Sequence, residues 1–225
     1  MRISPDAVVL WQWGWARINL TILFTWLVMV LLLVFSFLAT RRLRSDERIG
    51  PWQNLLEAVV EGMMTQIREI TQAASEPFLP FLGSLFLFIV VSNVLSVVPG
   101  FEPPTGSLST TAALAACVFV AVPGYGIARI GLGAYLRNYV RPSPLMLPFT
   151  VIGELSRILA LAMRLFGNVM SGTMIAAVLL AVTPLFFPVV MQLLGLLTGV
   201  VQAYIFAVLA AVYIGAGFEV QEQRN

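Results

Sequence analysis

Arg164 is the residue of this chain that is best suited to chemistry inside an apolar environment. An uncharged run over residues 165–218 follows it, and no carboxylate lies between residues 155 and 218. The nearest preceding carboxylate, Glu154, is almost three helical turns away and is better placed to pair with Arg157 at i+3. Because a guanidinium keeps its charge, we expect a second subunit to present a carboxylate to Arg164.

Polar residues accompany Arg164 at helical spacing. One predicted helix face, with intervals of seven, four and three residues, contains Arg157, Arg164, Asn168 and Ser171. On the next segment, intervals of three, four and three separate Gln192, Gly195, Gly199 and Gln202. A hairpin that turns at Thr183 places Arg164 level with Gln202. The same register places Asn168 level with Thr198.

These neighbours also have a purely structural interpretation. Gly195 and Gly199 form a GxxxG pair, which is typical of close helix packing in membranes. Gln202 suits an interhelical hydrogen bond. Only their combination with Arg164 favours a functional role.

Composition sets the class of protein. Of 225 residues, 59% are hydrophobic and 11% are charged, with a mean hydropathy of +0.92, whereas soluble domains carry about 25% charged residues. Nucleic-acid binding is excluded, and a water-soluble enzyme is disfavoured. With no histidine and one cysteine, a Ser-His-Asp triad, a zinc site and an internal disulfide are excluded. We predict no catalytic residue, no cofactor and no metal site.

The fold class that we predict is an all-α polytopic membrane protein, a single membrane domain over residues 1–225. Five predominantly apolar stretches are predicted to cross the bilayer: residues 18–40, 78–99, 108–128, 149–181 and 189–218. The last two exceed a hydrocarbon thickness of about 30 Å. We therefore expect them to tilt and to form a slanting hairpin.

Residues 52–74 form a different kind of segment. Apolar residues recur at helical spacing, and the opposite face carries Glu57, Glu61 and Glu69. This pattern predicts an amphipathic helix that lies on the membrane surface. It either floats at the interface or meets another protein, and its acidic face slightly favours the second.

The arginines predict the orientation. If there are five crossings, one side of the membrane receives Arg41, Arg42, Arg44, Arg48, Arg68, Arg129, Arg137, Arg141 and Arg224. The other side receives Arg2 and Arg17. Because cytoplasmic loops are rich in arginine and lysine, we expect the N-terminus outside and the C-terminus in the cytoplasm.

The residues around Arg164 resemble the signature of subunit a of F-type ATP synthases. The matching segments are Arg164-Leu165-Phe166-Gly167-Asn168 with Gly172, Gln202-Ala203-Tyr204-Ile205-Phe206, Ser92-Asn93, Pro99-Gly100 and Pro103-Pro104-Thr105. The resemblance extends from about residue 5 to the C-terminus.

This resemblance implies the non-catalytic stator of a rotary motor in a bacterial inner membrane. Residues 149–218 then pack against a ring of c subunits, and Arg164 faces the ring carboxylate between two offset half-channels. H⁺ or Na⁺ flow is coupled to rotation and to ATP synthesis or hydrolysis. We expect the 52–74 helix to contact the b subunits of the peripheral stalk.

Two departures from the family pattern bear on the ion. Many members have an acidic residue where this chain has Thr173 and a histidine where it has Gly195. The outward half-channel is then expected to offer only neutral groups: Asn168, Ser171, Thr173, Gln192 and Thr198. Neutral oxygens suit a hard cation and also hold water wires, so Na⁺ is an alternative to H⁺.

Other functions explain the pattern less well. An independent secondary transporter or channel would use Arg164 as an anion or substrate site, but neither a counter-charge nor inverted symmetry is visible. A membrane scaffold leaves Arg164 unexplained. An intramembrane enzyme lacks a nucleophile and base.

Overall fold

The computed structural model describes residues 9–13, 16–41, 51–71, 77–98, 100–133, 147–182 and 187–222. The helices are α1 (Leu20–Thr40), α2 (Pro51–Thr71), α3 (Leu79–Leu95), α4 (Leu108–Ile130), α5 (Leu147–Val182) and α6 (Phe187–Glu222). A single 3-10 turn, Pro104–Gly106, lies between α3 and α4. The chain is thus the helical polytopic type that its composition predicts.

Four of these helices are long and apolar enough to cross a membrane, namely α1, α4, α5 and α6. The second predicted span, 78–99, is shorter than expected, because α3 ends at Leu95 after 17 residues. Its end is a tight turn in which the Ser96 amide donates to Asn93 O at 3.2 Å. At about 1.5 Å per residue, α3 is about 25 Å long. Five crossings therefore remain a prediction.

A short antiparallel hairpin precedes α1 and corrects the all-α expectation. Strand β1 (Val9–Trp13) pairs with β2 (Ala16–Asn19), with Trp13 opposite Ala16. Valine and tryptophan favour extended backbone. The two strands are so short that the sequence pattern of the apolar run next to them, which is helical, dominates the prediction. Helix α1 then follows β2 directly.

Helices α5 and α6 begin slightly before the predicted starts at residues 149 and 189. Each has 36 residues, or about 54 Å. Pro148 and Pro188 lie in the first helical turn, where a missing N–H costs no hydrogen bond. The predicted turn at Thr183–Phe186 lies outside the described residues, as do Arg2, Arg42, Arg44, Arg48, Arg137, Arg141 and Arg224.

Helix α6 lies at the centre and packs against α2, α3, α4 and α5. Its buried face is rich in alanine, at Ala203, Ala207, Ala210 and Ala211. Small side chains let neighbouring helices approach closely, which is how helices associate where lipid removes the hydrophobic driving force. Larger buried groups, such as Phe206 on α6 and Leu165 on α5, fill the remaining space.

Helix α2 packs at the starting end of α3, away from the turn that ends α3. Ile67 on its apolar face is 4% exposed, and Met63 approaches the position of a side chain at Gly83. Glu57, Glu61 and Glu69 are exposed on the other face. This two-sided character agrees with the predicted amphipathic helix, which is observed over Pro51–Thr71.

Candidate functional site

Arg164 lies at the midpoint of α5 and points away from the helical core. Leu161 and Leu165, which flank it, are 1% and 0% exposed, whereas Arg164 itself is exposed. Within the described part of the chain, no carboxylate forms an ion pair with its guanidinium. The fold therefore presents a permanent positive charge on the outer surface of the longest helix pair.

Many exposed side chains of the two long helices are apolar. On α5 they include Leu159 and Met163, and on α6 the exposed residues recur every three or four positions at Leu193, Leu197, Val201 and Tyr204. Contact with lipid chains is favourable for such apolar side chains, but it is energetically costly for a guanidinium. Arg164 thus distinguishes this face from an ordinary lipid-facing one.

Asn168 joins the two long helices one turn beyond Arg164. Its Nδ2 donates a hydrogen bond to Thr198 O at 3.3 Å, which agrees with the register expected for a hairpin that turns near Thr183. The hydroxyls of Ser171 and Thr198 donate to carbonyls of their own helices. Their oxygen lone pairs remain able to accept a proton donor or to contact a cation.

Thr173 follows the same pattern, because its hydroxyl donates to Met170 O at 2.9 Å. Gln192 makes a longer-range contact. Its Nε2 lies 3.3 Å from both Ser96 O and Val97 O, in the turn that ends α3. The predicted polar groups thus make local bonds within α5 or α6, one bond between these two helices, and one contact from α6 to the loop after α3.

Gln202 and Arg164 are not joined by a hydrogen bond among the described residues, although the predicted register places them level. Gln202 is 7% exposed and packs inward. Its Nε2 is buried, and no described residue accepts a hydrogen bond from it. An unpaired buried amide is costly.

Arg157 contacts an aromatic ring of the neighbouring helix. Its guanidinium lies over the ring of Tyr213 at 5.7 Å from the centroid. A cation on an aromatic face is stabilised by the ring quadrupole. This stacking connects α5 to α6.

The two glycines of the GxxxG pair have different surroundings. A Cβ at Gly199 would lie 2.9 Å from Cγ of Asn93, whereas a Cβ at Gly195 would meet nothing within 4 Å. Asn93 also donates to Gly199 O at 3.0 Å. Close packing therefore applies to Gly199 alone, and its neighbour is an asparagine of α3 that sequence reasoning had not placed there.

A cavity of about 370 Å³ opens between α5, α6 and the loop after α3. Its polar lining includes Asn93, Glu102, Asn168, Thr173 and Gln192. It therefore gathers three of the predicted neutral groups and adds a carboxylate.

Glu102 is a candidate site residue that the motif analysis missed. Its Oε2 is buried, and within the described ranges no donor reaches it. The sequence does contain a signal, because Glu102 is the single charge between residues 77 and 128. Only the fold shows that this charge lines the cavity next to the hairpin.

Comparison with known proteins agrees with the sequence motifs. The ATP synthase A chain family matches residues 22–215. ATP synthase subunit a 2 of Acaryochloris marina is 58% identical over 222 residues, which cover 99% of this chain and 95% of that protein. ATP synthase subunit a of Albidiferax ferrireducens is 57% identical over 216 residues, covering 96% and 94%.

A third relative, ATP synthase subunit a 1 of Crocosphaera subtropica, is 52% identical over 225 residues, which cover all of this chain and 98% of that protein. The matched residues include Arg164, the residues that line the cavity, all of α5, and α6 up to residue 215. This chain belongs to the ATP synthase subunit a family, the ion-translocating and non-catalytic membrane part of the complex.

Proposed function

We propose that α5 and α6 form the surface that faces a ring of c subunits and that Arg164 faces a ring carboxylate. The exposed charge of Arg164 in the middle of an apolar face carries this proposal. An arginine at the centre of the bilayer costs about 2.5–3.5 kcal/mol on insertion scales. An opposite charge on the ring offsets that cost, whereas lipid does not.

Arg164 then controls the charge of the ring carboxylate. A cation beside a carboxylate favours its ionised form, so a ring site releases its ion when it reaches Arg164. The site must be neutralised again by H⁺ or Na⁺ before it can enter lipid. Rotation in one direction therefore requires ion entry on one side of Arg164 and ion exit on the other.

The cavity beside Asn168 supports one of the two half-channels. Asn168 is four residues from Arg164, a rise of about 6 Å along α5. The cavity thus extends from the loop after α3 to within one helical turn of the arginine. Its polar groups replace hydration along this path, and the arginine blocks direct passage to the other half-channel.

The ion that we propose is a monovalent cation, H⁺ or Na⁺. Amide and hydroxyl oxygens from Asn168, Thr173 and Gln192 suit Na⁺, and the same groups hold a chain of water molecules for H⁺. For either ion, the movement of one elementary charge across the membrane potential releases about 2.3 kcal/mol of free energy per 100 mV.

The orientation and the stalk contact complete the proposal. With the N-terminus outside, α2 lies on the cytoplasmic side of a bacterial inner membrane, and its exposed carboxylates Glu57 and Glu61 face the b subunits of the peripheral stalk. The loop after α3 lies at the opposite, outer side. Family membership leaves no role for an independent transporter or a scaffold.

Arg164→Ala in the whole complex tests the proposal. We expect assembled complexes that hydrolyse ATP without coupled ion transport, because the ring carboxylate loses its cationic partner. Subunit composition measured on purified complexes controls for assembly. Ion pumping into vesicles at a rate near that of the unchanged complex would contradict the proposed role of Arg164.

A further inference from the structure

The loop after α3 carries a carboxylate into the cavity that the proposed function uses as a half-channel. Glu102 lines that cavity together with Thr173 and Gln192. We propose that the Glu102 carboxylate is the cation-receiving site of this half-channel, where the incoming ion binds before it passes towards Asn168. This inference rests on the proposed function and assigns a charged residue to a path that otherwise has neutral groups.

The loop holds Glu102 in a fixed position. The ring of Phe101, its neighbour, packs on Phe24 of α1 with centroids 4.7 Å apart. On the other side, a Cβ at Gly106 would lie 3.3 Å from Val169 of α5. The loop therefore packs against both α1 and α5. These contacts restrain the backbone segment that carries Glu102.

A second anchor lies within the loop. The hydroxyl of Thr105 donates to Oδ1 of Asn93 at 3.1 Å, and both residues are buried. Glu102 is thus bracketed by contacts on both sides of the chain. Because the segment is already held in place, ion binding does not have to order it. Little conformational entropy is therefore lost when the ion binds.

The surroundings of the carboxylate favour a cation. Oε2 is buried and receives no hydrogen bond from any described residue. Burial of an unpaired carboxylate is costly, and an opposite charge offsets that cost. Glu102 is the one ionisable residue among those that line the cavity, so an entering cation meets no competing positive charge from the described lining.

The ligand chemistry is that of a hard monovalent cation. Carboxylate and amide oxygens replace the hydration oxygens of such an ion, and a carboxylate also accepts a proton directly. Na⁺ and H⁺ therefore share the site chemistry, and a titration of each ion separates the two.

Glu102→Gln in the intact complex, with Glu102→Asp as the matched control, tests the assignment. ATP synthesis is driven in vesicles by a fixed potential while the cation concentration on the loop side is varied, as pH in one series and as Na⁺ in another. A charged cleft raises local cation concentration by 10-fold or more, so we expect Glu102→Gln to need roughly tenfold more cation for its half-maximal rate, with the maximal rate retained. Glu102→Asp should behave like the unchanged complex.

A carboxylate on the facing wall provides a rescue. Thr173 lines the same cavity, and its hydroxyl donates a hydrogen bond to Met170 O. Adding Thr173→Glu to Glu102→Gln should restore the lower cation requirement, because the cavity regains a negative charge. A purely structural role of Glu102 predicts no such rescue.

A chemical variant covers the case in which Glu102→Gln assembles poorly. Cys117 is the only cysteine, so Glu102→Cys with Cys117→Ser offers one thiol. An anionic thiol reagent should restore a low cation requirement, and a cationic reagent should raise it. Equal effects of the two reagents would overturn the assignment.

The outcomes separate this inference from the proposed function. An unchanged cation requirement in Glu102→Gln, together with loss of coupling in Arg164→Ala, rejects the Glu102 site and leaves the proposed function intact. Coupled transport in Arg164→Ala rejects the proposed function itself. A shift in the Na⁺ series alone assigns the site to Na⁺, and a shift in the pH series alone assigns it to H⁺.

Discussion

Asn93 lies so close to Gly199 that a methyl group on the glycine would come within 2.9 Å of Asn93 Cγ. The asparagine donates to Gly199 O at 3.0 Å, and its own oxygen accepts a hydrogen bond from Thr105. One buried amide therefore connects α3, α6 and the loop that carries Glu102. Packing of this loop against the hairpin depends on the missing side chain at residue 199.

We predict that Gly199→Ala destabilises the subunit. Asn93 is 4% exposed and is held by two hydrogen bonds, so it has little room to move. Overpacking of this kind costs about 1–3 kcal/mol. The measurement is the temperature at which the subunit is lost from the purified complex. Gly195→Ala, one turn away with nothing within 4 Å, is the matched control, and equal loss in both variants would contradict the prediction.

Arg164→Lys should fail almost as completely as Arg164→Ala. An ammonium lacks the planar fork of guanidinium and can lose its proton when buried, so it does not replace a permanent charge. The measurement is ATP-driven ion uptake into vesicles, with complex assembly as the control. Substantial coupled uptake by the lysine variant would show that any positive charge suffices at this position.

Cysteines placed on the acidic face of α2 should reach the peripheral stalk. Glu57→Cys and Glu61→Cys, each with Cys117→Ser, are expected to cross-link to a b subunit and to react with water-soluble thiol reagents from the cytoplasmic side. Met63→Cys, on the half-buried face, is the control and should do neither efficiently. Labelling of residues 57 and 61 only from the outer side would reverse the proposed topology.

The transported ion is identified by sodium dependence. If Na⁺ is transported, ATP hydrolysis by the whole complex at fixed pH should rise with Na⁺, and radioactive sodium should accumulate in vesicles. If H⁺ is transported, hydrolysis should ignore Na⁺ while the vesicles acidify. The neutral groups Asn168, Thr173 and Gln192 permit either ion, so the measurement decides between two defined outcomes.

Local sequence patterns predict the helical elements of this protein well. Long, predominantly apolar runs mark α1, α4, α5 and α6 because a bilayer requires about 20 mainly apolar residues in succession. The hydrogen bond between Asn168 and Thr198 also follows from simple counting around a hairpin. Helix α3 is less predictable, because apolar residues continue past its end into the turn at Ser96.

Contacts between distant segments are where sequence reasoning is weak. Arg157 stacks on Tyr213, because helix packing brings an aromatic ring from residues far along the chain. Asn93 and Gly199 are 106 residues apart. The position of Glu102 in the cavity depends on the same long-range packing, which no helical period reveals.

The cavity beside Asn168 has an electrical consequence. In the proposed half-channel, water would carry the potential of one bulk solution to within about 6 Å of Arg164 along α5. Much of the membrane voltage then falls across a short stretch of protein instead of about 30 Å of hydrocarbon. The local electric field is correspondingly steeper, so most of the electrical work on the ion is done during a small lateral displacement past the arginine.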